Sequence, residues 1–268
     1  MRIAIFLCVA VLLAELIHAQ TSPLQKPAQN AASEDPGAKK ARMLLDQMIQ
    51  AMGGEAFMNI QDMEQQGRSY AFYHGNPSGL GSLFWRFWKW PDKDRYELSK
   101  QRDVIVIYSG DQGWEITYKG TRAEDPDEMK EYLRSREHSL TTVLRGWLKQ
   151  PDTALFYEGI GLAQDHQVEK VTLINGKDDA VTILIDQITH LPVKKSYLVR
   201  DPVSREKDEE AEVFDGWRQE QGINTAHTIV LMRNGEITRQ RFIQTVRYNQ
   251  GIPDSKFAAT ATYVPKAK

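Results

Sequence analysis

The sequence predicts an α+β, mainly β protein: one large, strongly curved antiparallel sheet with two or more helices covering its concave side. Three observations predict it. Short runs rich in β-branched and aromatic residues recur with polar turns between them, the connections are too short for crossover helices, and two amphipathic helical stretches interrupt the series. A sheet of about ten strands must curl, and its apolar face needs helices over it.

The chain opens with Arg2, an apolar run from Ile3 to Leu13, and a small-residue exit at Ile17-His18-Ala19. This is the pattern of a signal peptide over residues 1–19, cleaved before Gln20, so the protein is expected to be exported. The apolar run is shorter than the ~20 residues that a membrane span requires. The single cysteine, Cys8, falls inside it. A mature chain without cysteine has no disulfide, thiolate zinc site or cysteine nucleophile, and must rely on its core. Residues 20–34, rich in Pro, Gln, Asn and Ala, read as a flexible lead, with a single domain over 35–268.

Asp35-Pro36 supplies an N-cap and first-turn proline. Ala41, Leu44, Leu45, Met48, Ile49 and Met52 then repeat at the spacing of an amphipathic helix, and Gly53-Gly54 stops it. Met63 to His74 and Leu83 to Trp90 read as strands, followed by Arg95 to Lys100, Val104 to Tyr108 and Trp114 to Tyr118. Pro126 opens a second helix over Asp127 to Lys149, with Met129, Leu133, Leu140, Val143, Leu144, Trp147 and Leu148 as its apolar stripe. Strands return at His166 to Ile174, Ala180 to Asp186 and Pro192 to Arg200. Asp201 to Glu212 reads as a charged, solvated loop running into a strand. Thr225 to Arg233 and Glu236 to Asn249 form a hairpin through Asn234-Gly235, a pair suited to a type I′ turn. The plan is a helix, about five strands, a helix, then five or six strands.

One stretch stands out within that plan. Leu83 to Trp90 carries five aromatic rings, with Leu83, Trp85 and Phe87 alternating onto one face and Phe84, Arg86, Trp88 and Trp90 onto the other. Neither face is polar, so both should be covered.

Charge is nearly balanced, 34 Lys and Arg against 36 Asp and Glu, and leaves no nucleic-acid footprint. The chain contains no H-E-x-x-H, G-x-S-x-G, phosphate-cradling or dinucleotide-binding motif. Ser204 to Lys207 matches S-x-x-K without its companion motifs. The histidines are scattered over different elements, and the paired carboxylates lie in turns or helix starts, where solvation and capping explain them. No catalytic residue, cofactor or metal is expected, and the protein is expected not to be an enzyme.

Four segments, in order, resemble the periplasmic lipoprotein-carrier superfamily, and within it the outer membrane lipoprotein-sorting relatives: "QAMGG" (Gln50 to Gly54), "YSGDQGWEI" (Tyr108 to Ile116), "ILIDQITHLPVKKSY" (Ile183 to Tyr197) and "YNQGIPDSKF" (Tyr248 to Phe257). The resemblance implies a LolA-like incomplete antiparallel barrel wrapped around helices, with an apolar cavity for acyl chains between sheet and helices. It implies a periplasmic, monomeric carrier or binding protein for lipoproteins or lipids, meeting docking proteins at the inner or outer membrane. The alternative is a periplasmic sensor or protein-interaction module of the same fold. On the carrier reading, Leu83, Trp85 and Phe87, with Ile105 and Ile107 on a neighbouring strand, would line the cavity opposite Leu140, Leu144 and Trp147. Trp88 and Trp90, on the other face beside Arg86, would meet a membrane interface or a partner.

Overall fold

Asp35 caps the first helix by accepting a hydrogen bond from the Ala38 N–H at 3.3 Å, with Pro36 in the first helical turn. The computed structural model describes residues 35–200 and 205–264. The expected signal peptide, Cys8 and the lead up to residue 34 lie outside the described residues.

Helix α1 (Pro36–Met52) buries all six residues of its expected stripe. Gly53 and Gly54 then adopt φ of 125° and 57°, and a Cβ at Gly53 would come within 2.8 Å of the Gly222 carbonyl oxygen. Only glycine lets the chain turn there against the strand hairpin at 222. A short helix, α2 (Glu55–Met58), leads into the sheet.

The first meander comprises β1 (Asp62–Tyr73), a two-residue β2 (Asn76–Pro77), β3 (Ser82–Lys89), β4 (Lys93–Leu98), β5 (Val104–Ser109), β6 (Gln112–Thr117) and β7 (Gly120–Ala123). Helices α3 (Pro126–Glu137) and α4 (Leu140–Arg145) and a 3₁₀ turn (Trp147–Lys149) follow. The second meander is β8 (Ala154–Ala163), β9 (His166–Ile174), β10 (Ala180–Asp186), β11 (Pro192–Arg200), β12 (Lys207–Glu220), β13 (Ile223–Arg233) and β14 (Glu236–Tyr248). Main-sheet order is β7-β6-β5-β4-β3-β1-β14-β13-β12-β11-β10-β9-β8, antiparallel throughout, with β2 attached only to β1. The β1–β14 pairing joins the two meanders, and edge strands β7 and β8 leave the sheet open.

Three expectations are corrected. The second helix is not continuous over Asp127 to Lys149: Ser139 accepts from the Thr142 N–H at 3.2 Å and caps a new helix, ending α3 at His138. The stretch ending at Glu212 is strand from Lys207 onward, because its carboxylates meet cations on β11: Glu209 lies 3.0 Å from Lys194 and Glu212 lies 3.0 Å from Lys195. Charge reads as loop only while the complementary strand is out of view. Strand β8 was not anticipated, since its alternation is blurred by Gly159, Gly161 and outward-facing Phe156, Ile160 and Leu162.

Two of the family-like segments make specific turn contacts. In Asp186-Gln-Ile-Thr-His-Leu-Pro, Asp186 Oδ1 accepts from the N–H groups of Ile188 (3.0 Å) and Thr189 (2.6 Å) and the Thr189 hydroxyl (2.8 Å), while Oδ2 lies 2.7 Å from His166 Nδ1. After β14, buried Asp62 accepts from Gln250, Gly251 and Ile252 N–H at 2.7, 2.9 and 3.1 Å. That clamp turns the terminal segment onto the sheet. Asn234 and Gly235 both take positive φ, 51° and 80°, as a type I′ turn requires.

Two apolar clusters result. The larger packs α1, α4 and Trp147 on the concave face against Val171, Leu173, Val181 and Ile183, with Phe84 and Ile243. The smaller, on the convex face, joins Phe87 and Ile107 to Ile252 and Phe257 of the terminal segment. Both faces of β3 are therefore covered, which accounts for its ring content.

Candidate functional site

The two clusters rearrange the expected acyl site. Trp85, Phe87, Ile105 and Ile107 belong to the convex cluster, and Leu83 shares their face, so these five do not oppose Leu140, Leu144 and Trp147 across a cavity. The Arg102 guanidinium lies 4.9 Å from the Trp85 ring centre and Lys256 Nζ lies 4.0 Å from that of Phe87, closing that face. Strand alternation separates two faces but does not say which one helices cover. The convex cover comes from a segment some 160 residues further along the chain. Leu144 and Trp147, 0% and 2% exposed, are interior packing, and Leu140 sits half-buried at the edge of that core. Trp88 and Trp90 are not on an outer face either. Trp88 packs against the main core, and Arg145 lies 4.0 Å over the Trp90 ring while donating to the Ile60 carbonyl at 2.6 Å.

The register shows what else occupies the concave face. Phe84, Arg86 and Trp88 on β3 stand opposite Leu98, Tyr96 and Asp94 on β4, and Ile243 on β14 shares this face with Arg241 and Arg239. On the far side, Lys195 and Tyr197 pair across from Glu212 and Glu210. The concavity thus has an apolar half beneath α1 and α4 and a charged half beneath α3.

In the charged half, Arg86 donates to Asp94 through Nη2 at 2.7 Å and Nε at 3.0 Å, with Asp94 1% exposed. Burial pulls the Arg86 guanidinium down, but Asp94, ahead of Tyr96, more than offsets this and holds it above the ordinary arginine range. The Tyr96 ring receives Arg86 at 5.3 Å and Arg241 at 5.8 Å. Tyr96 and Arg241 stand on strands separated by two others, roughly 14 Å apart in a flat sheet. Their contact reflects the curvature, helped by the reach of the arginine side chain. Lys195, wholly buried, binds Glu212. Burial pushes the Glu212 carboxyl up, but Lys195 then Arg241 and Arg86 leave it lowered overall.

Helix α3 roofs this chamber without burying any residue of its own. It is attached by side-chain tips. Tyr132 stacks on Tyr108 of β5, Arg134 donates to Glu210 of β12 at 2.8 Å, and Arg136 donates to the Gly110 carbonyl at 2.7 Å. Glu210 also accepts from the Tyr197 hydroxyl at 2.6 Å, and His138 stacks on Tyr197 at 4.2 Å. Burial pushes the hydroxyls of Tyr96, Tyr108 and Tyr132 up in pKa, so they stay protonated as hydrogen-bond donors.

Sequence reasoning missed this chamber. Glu212 falls in the stretch read as a solvated loop, Arg86 on an aromatic strand face, and Arg239 and Arg241 in a basic stretch whose alternation with apolar residues reads as the wet face of a strand; the available signal was that pair of arginines two residues apart on a hairpin strand. Among the described residues, no group of three or more His, Cys, Asp or Glu side chains is arranged to hold a metal. A separate depression of about 310 Å³ lies on the convex side, lined by Ile160, Leu162, Leu184, Lys170, Lys194 and Glu209 among others.

No protein-family profile and no curated protein matches this sequence. Solved structures do match its shape. A DUF1329 family protein from Desulfovibrio piger superposes with a TM-score of 0.58 at 13% identity, covering 81% of this chain and 97% of that one. A domain assigned to the outer membrane lipoprotein-sorting proteins, from Vibrio parahaemolyticus, gives 0.55 at 11% identity, with 82% and 97% covered. A LolA superfamily protein from Nitrosomonas europaea gives 0.50 at 11% identity, with the same coverage. The fold is LolA-like. At these identities the likeness is one of architecture.

Proposed function

We propose that this LolA-like protein is a non-enzymatic periplasmic carrier or binding protein that takes up the acyl chain of a lipid or lipoprotein beneath α3. One observation carries the reading: α3 covers part of the concave face, has no fully buried residue, and is held by side-chain tips such as those of Tyr132, Arg134 and Arg136. Such a helix can move aside at modest cost, whereas α1, with six buried side chains, cannot. Shielding matters because each methylene exposed to water costs ~0.8 kcal/mol, on the order of 10 kcal/mol for a long chain.

The space for hydrocarbon is made rather than waiting. The expected lining residues Leu144 and Trp147 are already packed. Displacement of α3 uncovers the border of the core, where Leu98, Leu140, Val199 and Ile229 are partly exposed apolar side chains on the concave side. The N-terminal Arg2 and apolar run support export, and the ordered family-like segments support the periplasmic assignment.

A second reading rests on the opposite surface. Ile160 and Leu162, on edge strand β8 and lining the convex depression, are 66% and 75% exposed. That apolar edge suits a protein partner and a sensing or scaffolding role. Native mass spectrometry of protein purified from its own cell envelope separates the two. Co-purifying lipid supports the carrier, and a lipid-free chain with a stoichiometric protein partner supports the second reading.

A further inference from the structure

The chamber beneath α3 holds cations that the protein does not neutralise. Arg86 has Asp94 and Lys195 has Glu212. Arg239 and Arg241 are two residues apart on one face of β14, and neither has a carboxylate within ion-pair distance among the described residues. Glu131 and Glu128 on the roof helix act on Arg239 only at a distance, behind Tyr96, and form no ion pair with it. Burial first and then Arg241 push the Arg239 guanidinium below the ordinary arginine range, although water reaches the side chain. Arg239 is thus reached by water while it shares the concave face with Arg241 and the Tyr96 ring that Arg241 contacts. Above it, Arg134 of α3 keeps a buried Nε–H with no acceptor.

Two like charges held this close repel one another, and guanidinium is weakly hydrated and shaped for oxyanions. A concave, low-dielectric wall focuses the field on whatever anion enters. The surrounding hydroxyls of Tyr96 and Tyr132 remain protonated and can donate. Beside this cluster lies the apolar border of the core, so a polar head and a hydrocarbon tail meet adjacent surfaces.

We propose that Arg239 and Arg241 form an anion site for the oxyanion head group, carboxylate or phosphate, of an amphiphile whose acyl chain lies along the apolar border of the core that displacement of α3 uncovers. The inference rests on the carrier reading and names its ligand class. Arg241 also keeps its contact with Tyr96, so head-group binding draws β14 and β4 together across the curve.

The test compares ligands of equal chain length in low salt: oleate, an oleoyl lysophosphatidylglycerol, the neutral oleyl alcohol, and inorganic phosphate alone, each competing with a fluorescent acyl probe on the purified protein. The expected result is at least tenfold tighter binding of one or both anionic amphiphiles than of the alcohol, with oleate or the lysophospholipid ahead according to whether the site prefers carboxylate or phosphate. In an Arg239→Gln, Arg241→Gln double variant that preference disappears while alcohol binding stays at the wild-type level, which also shows that the variant is folded. An Arg239→Lys variant retains part of the preference. Equal binding of charged and neutral ligands by the wild type, or an unchanged preference in the double variant, overturns the anion site and leaves the carrier intact. Displacement of the probe by inorganic phosphate at amphiphile concentrations overturns it in favour of a free-anion site. Binding of no amphiphile at all rejects the carrier reading and the anion site together.

Discussion

Tyr132 of α3 lies flat on Tyr108 of β5, with ring centres 3.6 Å apart and planes 5° from parallel. Tyr108 is 8% exposed and belongs to the sheet, whereas Tyr132 belongs to a helix with no fully buried residue. The stack is one of the side-chain attachments that fix the roof to the floor. Replacing Tyr132 with Ala removes an aromatic pair worth about 1 kcal/mol beyond area. Amide exchange in residues 126–137 is expected to accelerate roughly fivefold while exchange in α1 is unchanged. Faster uptake of an acyl probe should accompany it, measured by stopped-flow fluorescence. Unaltered exchange in α3 means the roof is held elsewhere.

The pair formed by Lys195 and Glu212 is asymmetric, the lysine fully buried and the carboxylate a quarter exposed. Substituting Lys195 with Met leaves Glu212 among buried groups without its principal cation. A loss of about 2–3 kcal/mol is expected in urea unfolding, at or below the low end for a fully buried pair because Glu212 keeps some water. The double variant Lys195→Met, Glu212→Leu should recover most of it, because no charge is then stranded. Failure to recover would assign the loss to packing.

Asp62 controls the path of the terminal segment. Its two carboxylate oxygens accept three backbone N–H groups, from Gln250, Gly251 and Ile252. Asp62→Ala strands those donors in a site that is 3% exposed, and a loss of about 3 kcal/mol is expected by thermal or denaturant unfolding. Asp62→Asn, which keeps one acceptor oxygen, should fall between the two. The same variant should loosen Ile252 and Phe257 from Phe87 and Ile107, read as increased fluorescence change around Trp85.

Acid should release that segment as well. Hydrogen bonds from Lys89 first and Lys93 second hold the Asp254 carboxyl down at about 2. At Glu97, burial pushes the carboxyl up, but hydrogen bonds from Arg95, Lys256 and Arg102 outweigh it and leave it lowered. Both groups have a lower pKa folded than unfolded, so their contribution is present above the unfolded carboxylate range near 4 and is lost as pH falls toward about 2 for Asp254. Detachment of residues 252–257 is therefore expected between about pH 4 and pH 2, followed by NMR signals of the Phe257 ring. Asp254→Asn should remove much of that pH dependence and weaken the attachment at neutral pH. A transition centred at pH 6 would point to a histidine instead.

The local elements were legible because each depends on near neighbours in the chain. The stripe of α1, its Asp35-Pro36 start, the Gly53-Gly54 stop and the Asn234-Gly235 turn rest on helical periodicity and on backbone angles open to particular residues. The antiparallel meander followed from connection length alone. What the sequence by itself determined was therefore a set of strands and helices, their order, and the need for a large curved sheet to be covered.

Tertiary structure decided which face of each strand is inner. β3 is apolar on both sides, so its own pattern is symmetric, and the choice was made by Ile252 and Phe257 arriving on one side and by α1 and Trp147 on the other. It also decided that Lys207 to Glu212 is strand, since the cations that stabilise it stand on β11. The chamber has the same origin: Arg86, Tyr96, Glu212 and Arg241 come from four strands, of which only β3 and β4 are paired neighbours, and curvature brings the others to them. Charge complementarity and face selection are properties of pairs distant in sequence, and a single chain read in order carries no record of which distant pairs will form.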